Sequence, residues 1–243
     1  MNVLGFDTAT LATSVGLLLA DGTSFEAYDY PAPGERPGHA TRLLPLADRL
    51  LAEAGLGWSS LQRIAVGVGP GTFTGLRIGI ATARGLAQSL ALDLVGVSSL
   101  QALAHHALKE GQQRSVLAAI DARRGEVFAG GWSGVGELFT PRALAPDDLG
   151  DLLERLDPLG QGGSESAPDD RDWLLVGDGA IRFRSHFEGR RIEVPADSSP
   201  LHRVAGTSIC ALALHAEPGQ PDAVLPDYLR RPDAEIALQG AAG

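Results

Sequence analysis

The 243-residue chain is 44% hydrophobic and 21% charged, long enough for two domains of about 100 residues or one larger one, each with its own core. Its formal charge is −10, with 6 basic against 8 acidic residues up to Leu108 and 14 against 22 beyond it, so it lacks the basic footprint of a protein that grips a phosphate backbone unaided. A single lysine, Lys109, leaves little for amine chemistry, a single cysteine, Cys210, allows no internal disulfide, and no apolar run approaches the roughly 20 residues of a membrane span or follows a basic leader, so a soluble cytoplasmic protein is expected.

The chain opens as a β-meander: Val3 to Phe6 reads as a strand ending in the polar turn Asp7-Thr8-Ala9-Thr10, Thr13 to Leu19 as a second strand, and Ser24 to Tyr30 as a third. A Pro/Gly-rich loop from Pro31 to Gly38 and then His39 precede a helix from about Thr41 to Ala54, closed by Gly55. Leu43, Ala47, Leu50 and Ala54 form one apolar stripe of this helix and Leu44 and Leu51 another, wider than a helix covering only its own sheet requires.

Ile64 to Val68 is a short apolar strand stopped by Gly69-Pro70-Gly71, after which Thr72 or Thr74 can cap a helix running to Ala91. The turn has neither the Walker spacing nor G-x-G-x-x-G, so it reads as a structural turn rather than a phosphate cradle. Gly75, Gly79 and Ala83 recur every four residues on one face of the helix. Each interior glycine costs roughly 0.5–1 kcal/mol against alanine, so the row implies close approach of another backbone. Together with the surplus leucines it reads as a buried protein interface, at which Gly75→Leu or Gly79→Leu is expected to abolish association and leave the fold intact. Leu94 to Val97 and Leu100 to Leu108 complete this half as a strand and a helix.

From Ser115 the pattern restarts: V-L-A-A-I-D-A-R-R-G-E-V-F-A-G repeats the strand, terminal aspartate, turn and strand of the opening. Gly177-Asp178-Gly179 then echoes Gly67-Val68-Gly69 at the end of an apolar run, which points to two topologically similar α/β halves. The division is 1–108 and 109–243, with Asp147 to Leu156 helical, an exposed loop over 158–172, and a helix over 204–215 that could pack back on the first lobe. Four prolines from Glu217 onward exclude a long regular element, and the tail is expected to run over the surface.

Asp7 with Thr8 and Thr10, and Asp121 with Arg123 and Arg124, stand at strand ends where two facing lobes could pinch a nucleotide and its magnesium, with Gly177 and Gly179 lining the same cleft. The alternative is that the two aspartates only accept hydrogen bonds from their own turns. The six histidines form no metal-binding spacing, and no G-x-S-x-G elbow suggests a hydrolase, so neither a metal site nor a catalytic residue is assigned.

The segments L-G-F-D-T-A-T, H-A-x-x-L-L-P, G-V-G-P-G-T-F-T-G-L-R-I-G, V-G-V-S-S-L-Q-A-L-A, D-A-R-R-G-E-V-F, V-G-D-G-A and P-D-Y-L-R, spread over nearly the whole chain, resemble the TsaB family, also called YeaZ. The resemblance implies an actin-like, sugar-kinase-type ATPase (ASKHA) fold of two lobes, each a mixed sheet flanked by helices. It implies a non-catalytic subunit that dimerises with TsaD, alongside the ATPase TsaE, in making N6-threonylcarbamoyladenosine beside the tRNA anticodon. It also places the TsaD contact on the two first-lobe helices, with Leu43, Leu44, Ala47, Gly75, Leu76, Gly79 and Ala83 as candidates, and allows a homodimer when TsaD is absent. Contact with tRNA would be indirect, and this chain would need no cofactor, although ATP or ADP could sit at the complex. The metal-binding H-x-x-x-H of TsaD is replaced here by S-S-L-Q-A-L-A-H-H-A-L. The competing expectation is an ATP-hydrolysing or phosphotransfer enzyme working from Asp7 and Asp121 in the cleft.

Overall fold

The computed structural model describes residues 1–32, 34–109, 114–156 and 173–229. Pro33 of the expected 31–38 loop, the expected 158–172 loop, Arg230 of P-D-Y-L-R, and the tail from 230 on lie outside the described residues. In chain order the elements are β1 (Val3–Asp7), β2 (Thr13–Leu18), β3 (Ser24–Asp29), α1 (His39–Glu53), β4 (Arg63–Gly69), α2 (Phe73–Leu90), β5 (Asp93–Ser98) and α3 (Ser99–Lys109). The second half follows with β6 (Ser115–Arg123), β7 (Glu126–Ser133), β8 (Gly136–Leu144), α4 (Pro146–Arg155), β9 (Trp173–Val176), α5 (Asp178–Arg182), β10 (Ile192–Glu193) and α6 (Gly206–Leu214).

Two five-stranded sheets form, in the orders β3-β2-β1-β4-β5 and β8-β7-β6-β9-β10. In each, the first three strands are an antiparallel meander and the next two add in parallel across helical crossovers. The same order twice is the duplicated architecture of the actin-like, sugar-kinase-type fold. The strand β8 was not anticipated, because G-E-L-F-T-P-R-A-L alternates poorly and contains Pro141; it is the edge strand, where proline is tolerated.

β1 is buried along its whole length, as a central strand must be when helices cover both faces. Leu4 and Phe6 join Leu43, Leu50, Ile64 and Ile80 in a core beneath α1 and α2. The other face meets α6, where Val3 packs with Ile209, Cys210 and α3 between the lobes. This contact is nearly backbone on backbone: a Cβ on Gly16 would lie 2.2 Å from the Gly206 carbonyl carbon, and one on Gly5 would lie 2.8 Å from Cys210 Sγ. The Cys210 thiol contacts the carbonyls of Val3 and Gly16 at 3.4 and 3.3 Å, and burial pushes it up to about 12. It is a core residue, as its apolar neighbours implied.

One segment departs from expectation, and the described part of the tail runs over the surface as expected, with Val224 its buried residue. α1 begins at His39 itself, so that residue is the first helical residue and not a free flank. The described part of the tail is a strap docked on the first lobe: Gly219 N donates to Leu94 O (3.1 Å), Arg84 Nη2 donates to the carbonyls of Asp222 and Val224 (3.0 and 2.7 Å), and Asp227 N donates to Val68 O (2.7 Å). Val224 enters the core beside Gly96. No helix among the described residues is long and apolar enough to cross a membrane.

Gly16→Ala is expected to lower the unfolding free energy by about 1–3 kcal/mol through overpacking, read as a lower urea midpoint at constant slope. Gly134→Ala, where an added Cβ meets nothing within 4 Å, is expected to stay within about 0.5 kcal/mol of the parent.

Candidate functional site

The Asp7-Thr8-Ala9-Thr10 turn is the hub on which the other candidates converge, and it is closed by this chain's own backbone. Thr72 N, at the mouth of α2, donates to Ala9 O at 2.7 Å, and a Cβ on Gly71 would lie 2.3 Å from that oxygen. The chain just before α2 is therefore tied to the turn, which agrees with a structural role for Gly69-Pro70-Gly71.

The glycine row of α2 faces the same turn. Thr8 Oγ1 donates to Gly75 O at 2.7 Å; a Cβ on Gly75 would lie 1.9 Å from Thr8 O, and one on Gly79 would lie 2.4 Å from Thr8 Oγ1. The backbone that the glycines admit is thus the chain's own, and the expectation that leucine at Gly75 or Gly79 leaves the fold intact is corrected. Of the interface candidates, Leu43, Ala47, Gly75, Leu76, Gly79 and Ala83 are buried inside the lobe, and Leu44 alone is open, at 45% exposure.

Asp7 is 1% exposed. Ser99 Oγ donates to its Oδ2 at 2.5 Å and Ala9 N to its Oδ1 at 2.9 Å, while Gly67 leaves the space the carboxylate fills. Burial raises its pKa, and the Ser99 and Ala9 hydrogen bonds pull the other way. Both oxygens are engaged and screened from solvent, so Asp7 forms an internal junction between β1, β4 and α3. A nucleotide-bound magnesium has no open face of this carboxylate to meet.

The second half repeats the arrangement with different chemistry. Gly177 and Gly179 let the start of α5 close on β6: an added Cβ would lie 2.1 and 3.0 Å from Ala119 O. Asp121 accepts from Arg123 N (2.8 Å), Arg123 Nη1 (3.1 Å) and Arg182 Nη1 (3.3 Å), and its own N donates to Asp178 Oδ1 at 3.0 Å. Burial, ahead of the nearby Asp121 charge, lifts Asp178 to about 6, although the Asp121 N–H and Arg123 oppose the shift.

Among the nucleotide-cleft candidates, Thr10 lines a cavity. Its companions there include Tyr28, Tyr30, Asp178, Asp197 and Arg203, of which the sequence drew attention to Asp178 alone, within Gly177-Asp178-Gly179, around a space of about 190 Å³. That is below the roughly 300–1,000 Å³ of pockets that enclose drug-sized ligands. The missed residues carry no motif: they are brought together from β3, the start of α5 and the segment before α6.

The histidines serve the fold. His39 is 4% exposed and pairs through Nδ1 with Thr13 Oγ1 at 2.8 Å; burial lowers its pKa against the opposing Thr10 carbonyl bond. His105 Nδ1 pairs with Ser208 Oγ at 3.1 Å, and His202 Nδ1 lies 3.1 Å from Gly177 O. No three His, Cys, Asp or Glu side chains gather into a metal-binding group among the described residues.

The exposed apolar side chains of the first lobe lie elsewhere than the glycine row. Phe73, 42% exposed at the start of α2, stacks on Tyr228 of the strap with ring centroids 5.6 Å apart. Arg77 covers Phe73 at 3.7 Å and bonds the Tyr228 hydroxyl at 3.3 Å. Both aromatic residues stand inside sequence segments singled out above, but their contact joins positions 155 residues apart.

Residues 35–178 match the family model described as TsaD, tRNA N6-adenosine threonylcarbamoyltransferase. The chain is 44% identical over 128 residues to the tRNA threonylcarbamoyladenosine biosynthesis protein TsaB of Escherichia coli, a match covering 53% of each chain, so it spans about half the length of that relative. It is 28% identical over 241 residues to TsaB of Bacillus subtilis, covering 97% of this chain and 96% of that one. Among solved structures it is similar to YeaZ from Pseudomonas aeruginosa, with a TM-score of 0.72 and 31% identity over 93% of this chain and 99% of that one.

In the fold Asp178 holds its proton up to about pH 6, against 3.8 for a free aspartate side chain, so the folded state binds the extra proton between those limits. Its contribution to stability is full below pH 3.8 and is lost as pH rises through 6. Asp178→Asn, which keeps an acceptor for Asp121 N, is expected to flatten the fall in stability across that window by about 1–2 kcal/mol in urea titrations at successive pH values. Some slope of the same sign remains in the variant, because Asp7 is also raised.

Proposed function

Because the chain belongs to the TsaB (YeaZ) family, we propose that it acts in tRNA threonylcarbamoyladenosine biosynthesis as a non-catalytic subunit that pairs with TsaD and assembles with TsaE. Threonylcarbamoyl transfer to the adenosine belongs to TsaD in this reading, and the present chain supplies a surface that holds TsaD in its working form. The observation that carries it is the state of Asp7: 1% exposed, with both oxygens hydrogen-bonded inside the lobe. A phosphotransfer enzyme needs that carboxylate at the cleft, facing metal and phosphate.

Charge and surface support the same reading. A chain of net charge −10 is poorly suited to hold tRNA alone, so a partner must bring the RNA contact. His105 and His106 are adjacent where TsaD is expected to carry H-x-x-x-H, and His105 is turned to Ser208. The partner contact falls on the outward side of α1 and α2, where Leu44 and the Phe73–Tyr228 stack are exposed, and not on the buried glycine row. Without TsaD the same apolar side could pair two copies of this chain. No cofactor is assigned to this chain.

Reconstitution with TsaD, TsaE, threonylcarbamoyl-adenylate and tRNA tests the reading, with modified adenosine measured by mass spectrometry. Omission of this chain is expected to reduce modification by at least about tenfold, and Leu44→Glu or Phe73→Glu to weaken TsaD binding by about tenfold or more with melting curves unchanged. Equal modification without the chain, or ATP turnover by the chain alone that disappears in Asp7→Asn, would overturn it in favour of the enzymatic alternative.

A further inference from the structure

The cavity between the lobes holds a cation without a hydrogen-bonding counterpart. The Arg203 guanidinium lies flat on Tyr28, 3.6 Å from the ring centroid, and its Nε is buried with no hydrogen-bond partner. Stacking fixes the plane of the guanidinium, and a planar fork of N–H groups held in place is suited to a carboxylate. Across the same cavity stand two carboxylates, neither of them ion-paired with Arg203. Asp197 is engaged by Arg184 at 2.5 Å. Asp178 receives the Asp121 N–H on Oδ1, lies beside the Gly179 N–H and lines the same cavity.

From these groups the geometry points to a binding site for a small zwitterion of the α-amino acid class, its carboxylate on Arg203 and its ammonium on Asp178. Size agrees with that class: at about 190 Å³ the space is smaller than the roughly 300–1,000 Å³ of pockets that enclose drug-sized ligands, and a free amino acid is a smaller molecule. Thr10, Ser198 and Ser199 line the cavity with hydroxyls that suit a short polar side chain better than an aliphatic one. The raised pKa of Asp178 has the same origin, since burial removes water from its carboxylate and a bound ammonium would replace it. Because Thr10 and Tyr28 come from the first lobe and Asp178 and Arg203 from the second, an occupant joins the two halves. The site does not depend on the function proposed above.

The test is titration of the full ¹⁵N-labelled chain with L-serine at neutral pH, followed by amide resonances. Saturable shifts are expected at residues 10–12, 28–30, 178–181 and 198–203, with half-saturation in the millimolar range or below. Acetate and ethanolamine, each carrying one of the two charges, are expected to bind at least about tenfold more weakly. Arg203→Gln and Asp178→Asn are each expected to weaken L-serine by about tenfold, and Asp178→Asn carries the test if Arg203→Gln melts early. No saturable shift at about 50 mM L-serine, acetate binding as tightly as L-serine, or unchanged affinity in folded variants would overturn the proposal.

Discussion

The structure depends on backbone-to-backbone approach at the end of its first hairpin. Ala9 O accepts the Thr72 N–H, Thr8 O lies where a Cβ of Gly75 would be, and on the opposite face of the sheet Gly16 meets Gly206. Each contact is short because a side chain is missing, and each replaces water on a buried peptide group with a neighbouring strand or helix. The strong helix formers that α2 could have used at these positions would have lowered the local cost by roughly 0.5–1 kcal/mol per site while pushing the hairpin out of the lobe.

That constraint also sets the surroundings of the hairpin's aspartate. Asp7, poised by its strand end for a metal or a phosphate, is overlaid by Gly67 and bound by Ser99, so its charge is managed within the core. The second half places Asp121 and Asp178 at corresponding strand and helix ends but leaves them at the cleft, ringed by Arg123 and Arg182. One duplicated architecture thus carries two electrostatic outcomes: an acid held by Ser99 and a backbone N–H in the first lobe, and a buried, arginine-flanked pair in the second. The small cavity with Arg203 lies on the second side of that division.

With the glycine row used internally, the first lobe meets the outside through different residues. The C-terminal strap is stitched to β4, β5 and α2 by backbone hydrogen bonds and the Arg84 clamp, and it delivers Tyr228 onto Phe73. An exposed aromatic pair tied down by Arg77 gives contact area at low entropic cost, a property expected of a protein-binding surface.

Local pattern alone determined the strand–turn–strand openings at Val3 and Ser115, the crossover helices α1 to α4 but not the short α5, the repeat, and the turn at Gly69-Pro70-Gly71, because hydrophobic periodicity and glycine or proline punctuation act over a few residues. It also identified α2 as a helix approached closely by another backbone. Which backbone was decided only by tertiary structure, since a glycine records that space is needed and not what fills it. The burial of Asp7, the closure of Thr8 on Gly75, the docking of the strap and the Tyr28–Arg203 stack all join positions from 67 to 175 residues apart in the chain. Contacts of that separation arise when two sheets and their helices are packed to native density, and no local spacing encodes them.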